Sequence, residues 1–163
     1  MPAKDSDQVG GPFLTGAFFC EKILQEKDGA LTPVRIIDTV ILEVVTDTRQ
    51  SEGLPEGTPI KLRRQLSALL SFKSGDATGK RAVRIACKSL SIDVTLPIVL
   101  QGGHHGANLI INMGLEMPAG VHWFSVLLSR KLVTKIPLRA IIQHRQADMT
   151  TVESQTTSQE STN

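Results

Sequence analysis

The chain has 163 residues, 40% of them apolar and 21% charged, with a formal net charge of +2. That length and balance suit one domain able to bury a core without staples. They exclude a disulfide framework, because Cys20 and Cys87 are the only cysteines, and no run approaches the ~18 apolar residues of a transmembrane helix.

The first residues, Met1-Pro2-Ala3-Lys4-Asp5-Ser6-Asp7, lack the apolar centre of a secretory signal, which predicts a cytoplasmic protein with no membrane attachment. Residues 1–14, with Gly10, Gly11 and Pro12, read as a flexible arm. Residues 17–25 admit two readings. Phe19 with Ile23 and Cys20 with Leu24 stand at helical spacing. Asp28-Gly29, however, is a strong turn signal between two apolar runs, which favours a hairpin of 17–25 with 30–45. Val34 to Val45 is rich in β-branched residues and reads as a strand.

From residue 61 onward period two dominates. In 61–73 the even positions Leu62, Leu66, Ala68, Leu70 and Phe72 are apolar, and most odd positions are polar. That is the pattern of a half-buried strand. Val83, Ile85 and Cys87 repeat it. The connector Ser74-Gly75-Asp76-Ala77-Thr78-Gly79 reads as a turn that makes a hairpin of the two. Ala107, Leu109, Ile111, Met113 and Leu115 mark another strand. Residues 121–128 are apolar on both sides, as in a central strand, and Ser129-Arg130-Lys131 turns into a last strand over 132–142. Pro137 cannot donate to a ladder, so it marks an edge or a bulge. Residues 146–163 are rich in Ser, Thr, Gln and Glu, and too poor in apolar surface to offset the entropy of ordering. They predict a disordered tail. The whole predicts an antiparallel β-sandwich of about seven to eight strands over 15–145, with a closed barrel as the alternative.

Charge is unevenly spread. Residues 16–60 hold four bases against eight acids, 61–88 eight bases against one acid, and 130–145 five bases and no acid. One reading is a basic surface for nucleic acid, with Lys61, Arg63, Lys80, Arg81, Arg84 and Lys88 as its candidates. The other is charge neutralised between neighbouring strands. With one Trp, five Phe and no Tyr, no exposed aromatic platform of the kind single strands require is evident, which favours the second.

Chemistry is sparse. Gly75-Asp-Ala-Thr-Gly79-Lys80-Arg81 has one residue too few between its glycines, and no Ser or Thr after the Lys, so it is not a phosphate loop. Gln101-Gly102-Gly103-His104-His105-Gly106-Ala107-Asn108 reads as a flexible inter-strand loop, with His104, His105 and Asn108 as candidate binding residues. Adjacent histidines on an extended chain point opposite ways, which argues against a shared metal ion. His122 reads as a packed histidine. Cys20 and Cys87 read as inert buried thiols. Asp38 interrupts an apolar row and calls for a basic partner such as Arg35. No catalytic constellation, metal site or cofactor motif is found.

Several strings have a family likeness: Phe19-Cys20-Glu21-Lys22-Ile23-Leu24-Gln25-Glu26-Lys27-Asp28-Gly29 with Arg35-Ile36-Ile37-Asp38, Gln101-Gly102-Gly103 with Gly106-Ala107-Asn108-Leu109, and Gly120-Val121-His122-Trp123-Phe124 with Ile136-Pro137-Leu138-Arg139. Over about 16–142 the chain resembles a family of small bacterial domains of unknown function. The resemblance implies a β-sandwich of bacterial or phage origin and no activity. The expectation is a non-enzymatic interaction or accessory module, binding a protein through an edge strand or by self-association. An electrostatic nucleic-acid binder using 61–88 and 130–145 is the alternative.

Overall fold

The computed structural model describes residues 10–46 and 61–146. The predicted tail, all but Gln146, and the first nine residues of the predicted arm lie outside them. The described residues form seven strands and one short 3-10 segment. The strands are β1 (Phe13–Gln25), β2 (Leu31–Ile37), β3 (Thr39–Thr46), β4 (Leu62–Cys87), β5 (Ile92–Met117), β6 (Gly120–Leu128) and β7 (Lys131–Gln146). The all-β expectation holds, and 17–25 is strand. The Asp28-Gly29 turn closes with Gly29 N–H donating to the Glu26 carbonyl (3.0 Å) and Glu26 N–H to that of Ala30 (2.8 Å).

Hydrogen bonding joins all seven strands into one sheet of order β2-β1-β4-β6-β7-β3, with β5 on the other side of β4. The two ends of that path, β2 and β3, are consecutive in the chain with Asp38 alone between them. β1 pairs with residues 67–73 and β6 with residues 83–86 on the same side of β4, so on a flat sheet the two would stand roughly 33 Å apart along β4. The sheet therefore curls, and the result is a half-barrel rather than two separately bonded sheets of a sandwich. Its strands are also mixed, since β3 runs parallel to β7. Alternation tells which side of a strand is oily, not which neighbour it takes or in which direction.

The largest departure from the sequence reading lies in β4 and β5. They form one hairpin of 26-residue strands, paired from Leu62↔Met117 to Cys87↔Ile92. The predicted turn at 74–79 and the predicted loop at 101–108 are both strand, facing each other across this ribbon. Pairing slips by one residue between Lys73↔Gly106 and Gly75↔Gly103, and slips back by Thr78↔Gln101. Each strand thus carries one extra residue, a bulge. An extra residue reverses which side chains face inward. The buried row runs through Leu70 and Phe72 before the bulge and Val83 and Ile85 after it, while β5 changes from Ile98 and Leu100 to Ile111 and Met113. Turn and bulge leave the same signature, a change of phase beside left-handed glycines, here Gly75 at φ 55° and Gly103 at φ 58°.

The core is the inward row of every strand but β2, which adds only the partly buried Ile37, and includes Phe19, Val40, Leu66, Ile85, Leu100, Met113, Phe124 and Leu138. The rings of Phe19 and Phe124 meet edge to face with centroids 4.8 Å apart, tying β1 to β6. A two-residue turn at Ser129 (φ 48°) and Arg130 (φ 72°) joins β6 to β7, and its two left-handed residues match the twist of the hairpin. Pro137 lies inside β7, opposite Trp123 and two residues before β3 joins at Arg139. Asp38 is exposed rather than buried in an apolar row, and its carbonyl accepts the Arg139 N–H at 2.8 Å. The strand breaks there, so the row that Asp38 would have interrupted does not continue through it.

Candidate functional site

The double bulge gathers the glycine-rich segments and the start of β1. Gly10 N–H donates to the Asp76 carboxylate and Asp76 N–H to the Gly10 carbonyl, both at 2.7 Å. Residues 10–14 of the predicted arm are thus held against the sheet, with Phe13 and Leu14 already in β1. A cavity of about 430 Å³ lies here, lined by Phe13, Lys73, Asp76 and His104. His104 and His105 do not point opposite ways. Their rings stack with centroids 4.8 Å apart and 18° between planes, because the bulge and the left-handed Gly102 and Gly103 take the backbone out of the extended form. Both are exposed. His105 Nδ1 lies 3.0 Å from the Gly102 carbonyl, which can only accept, so Nδ1 carries the hydrogen. Asn108, also exposed, lies on β5 opposite Ser71. Among the described residues no three of His, Cys, Asp and Glu come together as metal ligands would, and no helix is long and apolar enough to cross a membrane.

The basic segments are partly neutralised across strands. Glu116 on β5 takes Lys61 and Arg63, each at 3.1 Å. Glu21 on β1 takes Arg64 at 2.7 Å and Arg35 at 3.3 Å. Asp93 accepts Arg84 Nε at 2.7 Å, with a second contact from the same guanidinium. The hydrogen bond from Arg84 holds the Asp93 carboxyl below its ordinary range, and Lys61 and then Arg63 do the same for Glu116. Most of the neutralising acids come from β5, an element the sequence reading only half recognised. Among the described residues Lys80, Arg81 and Lys88 have no carboxylate partner.

His122 is buried, as expected, and its polar atoms are satisfied. Nε2 lies 2.9 Å from the Pro118 carbonyl and Nδ1 2.9 Å from Ser89 Oγ, which is 3.3 Å from Cys87 Sγ. The carbonyl fixes the hydrogen on Nε2; in the neutral ring Nδ1 then accepts from Ser89. Cys20 is buried too, its Sγ donating to the Ser67 carbonyl at 3.5 Å, and burial pushes its thiol pKa up. That is the opposite of what a nucleophilic cysteine needs.

Two surfaces were missed. The first is the outer face of β4, β6 and β7. Residues 121–128 are not apolar on both faces of a central strand in the buried sense: His122, Phe124, Val126 and Leu128 point inward, whereas Val121 and Trp123 are half-exposed. A groove of about 600 Å³ runs over this face beside Arg84, Lys88, Trp123, Leu132 and Lys135. An exposed aromatic is therefore present in Trp123, and a run apolar on both sides gave no signal of that exposure. The second surface is the outer edge of β5, which among the described residues is hydrogen-bonded to β4 alone.

A scan against protein-family models and a search of curated proteins find no match for this chain.

Proposed function

We propose that this protein is a non-enzymatic interaction module that associates with a second copy of itself along the outer edge of β5. The observation that carries this reading is a 26-residue strand with one side that no other described strand pairs. Edge strands are normally blunted by charge or proline. The first half of β5 has Asp93 and Pro97, but from Gly106 to Leu115 there is no charged residue and no proline. Antiparallel pairing of two copies about Ile111 sets Leu109 opposite Met113 of the second copy and Ala107 opposite Leu115. Those side chains face inward in each copy, so the two cores would join in register.

Sedimentation of the full chain across a range of concentrations is expected to show a dimer. The outward side chains of Ile110 and Asn112 would oppose each other across the two-fold. The double variant Ile110→Lys/Asn112→Lys should therefore dissociate into a folded monomer, and Ile110→Glu/Asn112→Lys should restore the dimer. A wild-type monomer throughout, or a dimer indifferent to both variants, would sink the proposal.

A further inference from the structure

We infer that the outer groove of β4, β6 and β7 binds single-stranded nucleic acid, one base stacking on Trp123 and the flanking phosphates meeting Lys88 and Lys135. This surface is independent of the β5 edge. Trp123 is 55% exposed, an unusual state for the chain's one tryptophan and one that leaves it open to a stacking partner. The register places it. Arg84 pairs with Leu127 and Ala86 with Ser125, and at the next step β4 gives way to the 3-10 segment (Lys88–Leu90) beside Trp123. On the other side Lys135 pairs with Ser125, and Pro137 with Trp123 itself. Cations thus stand on both flanks of one aromatic platform. Among the described residues no carboxylate lines the groove. Arg84 is held by Asp93 at its edge, which leaves Lys88 and Lys135 as the cations without a described carboxylate partner.

That combination selects the ligand. An anion without an aromatic group would leave Trp123 unused, and an apolar peptide would leave two lysines desolvated and unpaired. A base on a phosphate backbone satisfies both, and stacking is tolerant of sequence because every base has a π-face. A duplex hides those faces within its stack, so single strands are favoured. The basic segments at 61–88 and 130–145 contribute through the few residues that reach this groove. Lys61 and Arg63 are tied to Glu116 elsewhere on the ribbon.

The experiment uses the tryptophan itself. With one Trp and no Tyr in the chain, emission from the whole protein reports Trp123. Titration with an oligothymidylate is expected to quench that emission saturably, in step with the anisotropy of a labelled oligonucleotide. Two phosphate contacts to a single strand predict a log–log salt slope of about −1.4. Trp123→Ala should weaken binding by about 5- to 150-fold, the loss of one stacked base, with Trp123→Phe between it and wild type. Lys88→Glu/Lys135→Glu should abolish binding and leave the circular-dichroism spectrum unchanged. The Ile110→Lys/Asn112→Lys variant should bind as wild type does, which separates this proposal from the edge. Absence of quenching, equal binding of duplex or inorganic polyphosphate, or a response to phosphatidylglycerol vesicles with none to the oligonucleotide would each overturn it.

Discussion

Arg84 and Asp93 show how far charge on this protein is arranged rather than merely spread. They lie diagonally across the β4–β5 ribbon near its turn, Arg84 opposite Thr95 and Asp93 opposite Ala86, and the guanidinium donates twice to the carboxylate. The folded Asp93 pKa therefore lies below the ordinary ~3.9 of a free aspartate. A depressed carboxyl pKa favours the folded state at pH values above the unfolded pKa, and that contribution is lost as pH falls through the folded one. Both side chains are solvated, so the effect on stability is small, but the titration is measurable. Arg84→Ala is expected to bring Asp93 back up toward ~3.9 in a carboxyl NMR titration. An unchanged pKa would show that the guanidinium is not what lowers it. Glu116 offers the same test with Lys61.

At the level of elements, the double bulge is the distinctive feature. Gly75 is left-handed, and a Cβ there would lie 2.0 Å from the Gly10 carbonyl oxygen. Gly79 is left-handed too, but a Cβ would meet nothing within 4 Å. The two alanine variants therefore separate backbone strain from collision. Gly79→Ala is expected to cost about 1–2 kcal/mol, the left-handed penalty alone. Gly75→Ala should cost about 3 kcal/mol or more, because displacing residues 10–12 adds to that strain. Urea denaturation of both variants measures the difference. Equal losses would mean that the contact between Gly10 and Asp76 contributes nothing to holding the bulge.

For the molecule as a whole, the same row of buried side chains passes through both halves of the half-barrel. β4 carries it across the bulge from Leu70 to Ile85, and Phe19 meets Phe124 from 105 positions away in the chain. Such a continuous, non-local core predicts one cooperative unfolding transition and slow folding. The two thiols sample its two halves, since Cys20 pairs with Ser67 at one end of β4 and Cys87 closes the other, both fully buried. In urea, labelling of both cysteines should rise at the same midpoint as the loss of far-UV circular dichroism. Earlier labelling of one thiol would reveal that the halves unfold separately.

Much of this was legible in residues. Alternation identified the strands of 61–73, 81–88, 107–116 and 132–142, the apolar run 121–128 marked another, and Asp28-Gly29 favoured strand over helix for residues 17–25. His122 as a packed histidine and Cys20 and Cys87 as buried thiols followed from the same rows. The rest needed the third dimension. A phase change beside glycines is identical for a turn and a bulge, so only the pairing of β4 with β5 showed 74–79 and 101–108 to be one feature. The stacked His104 and His105 depend on that bulge. Alternation is likewise blind to strand order, so the parallel β3–β7 pair, the curl that brings β2 to β3 through Asp38, and the edge of β5 that no other described strand pairs were decided by tertiary structure. The same holds for the groove: a sequence places Trp123 on the odd face of its strand, but its exposure and its lysines are set by what the folded sheet leaves uncovered.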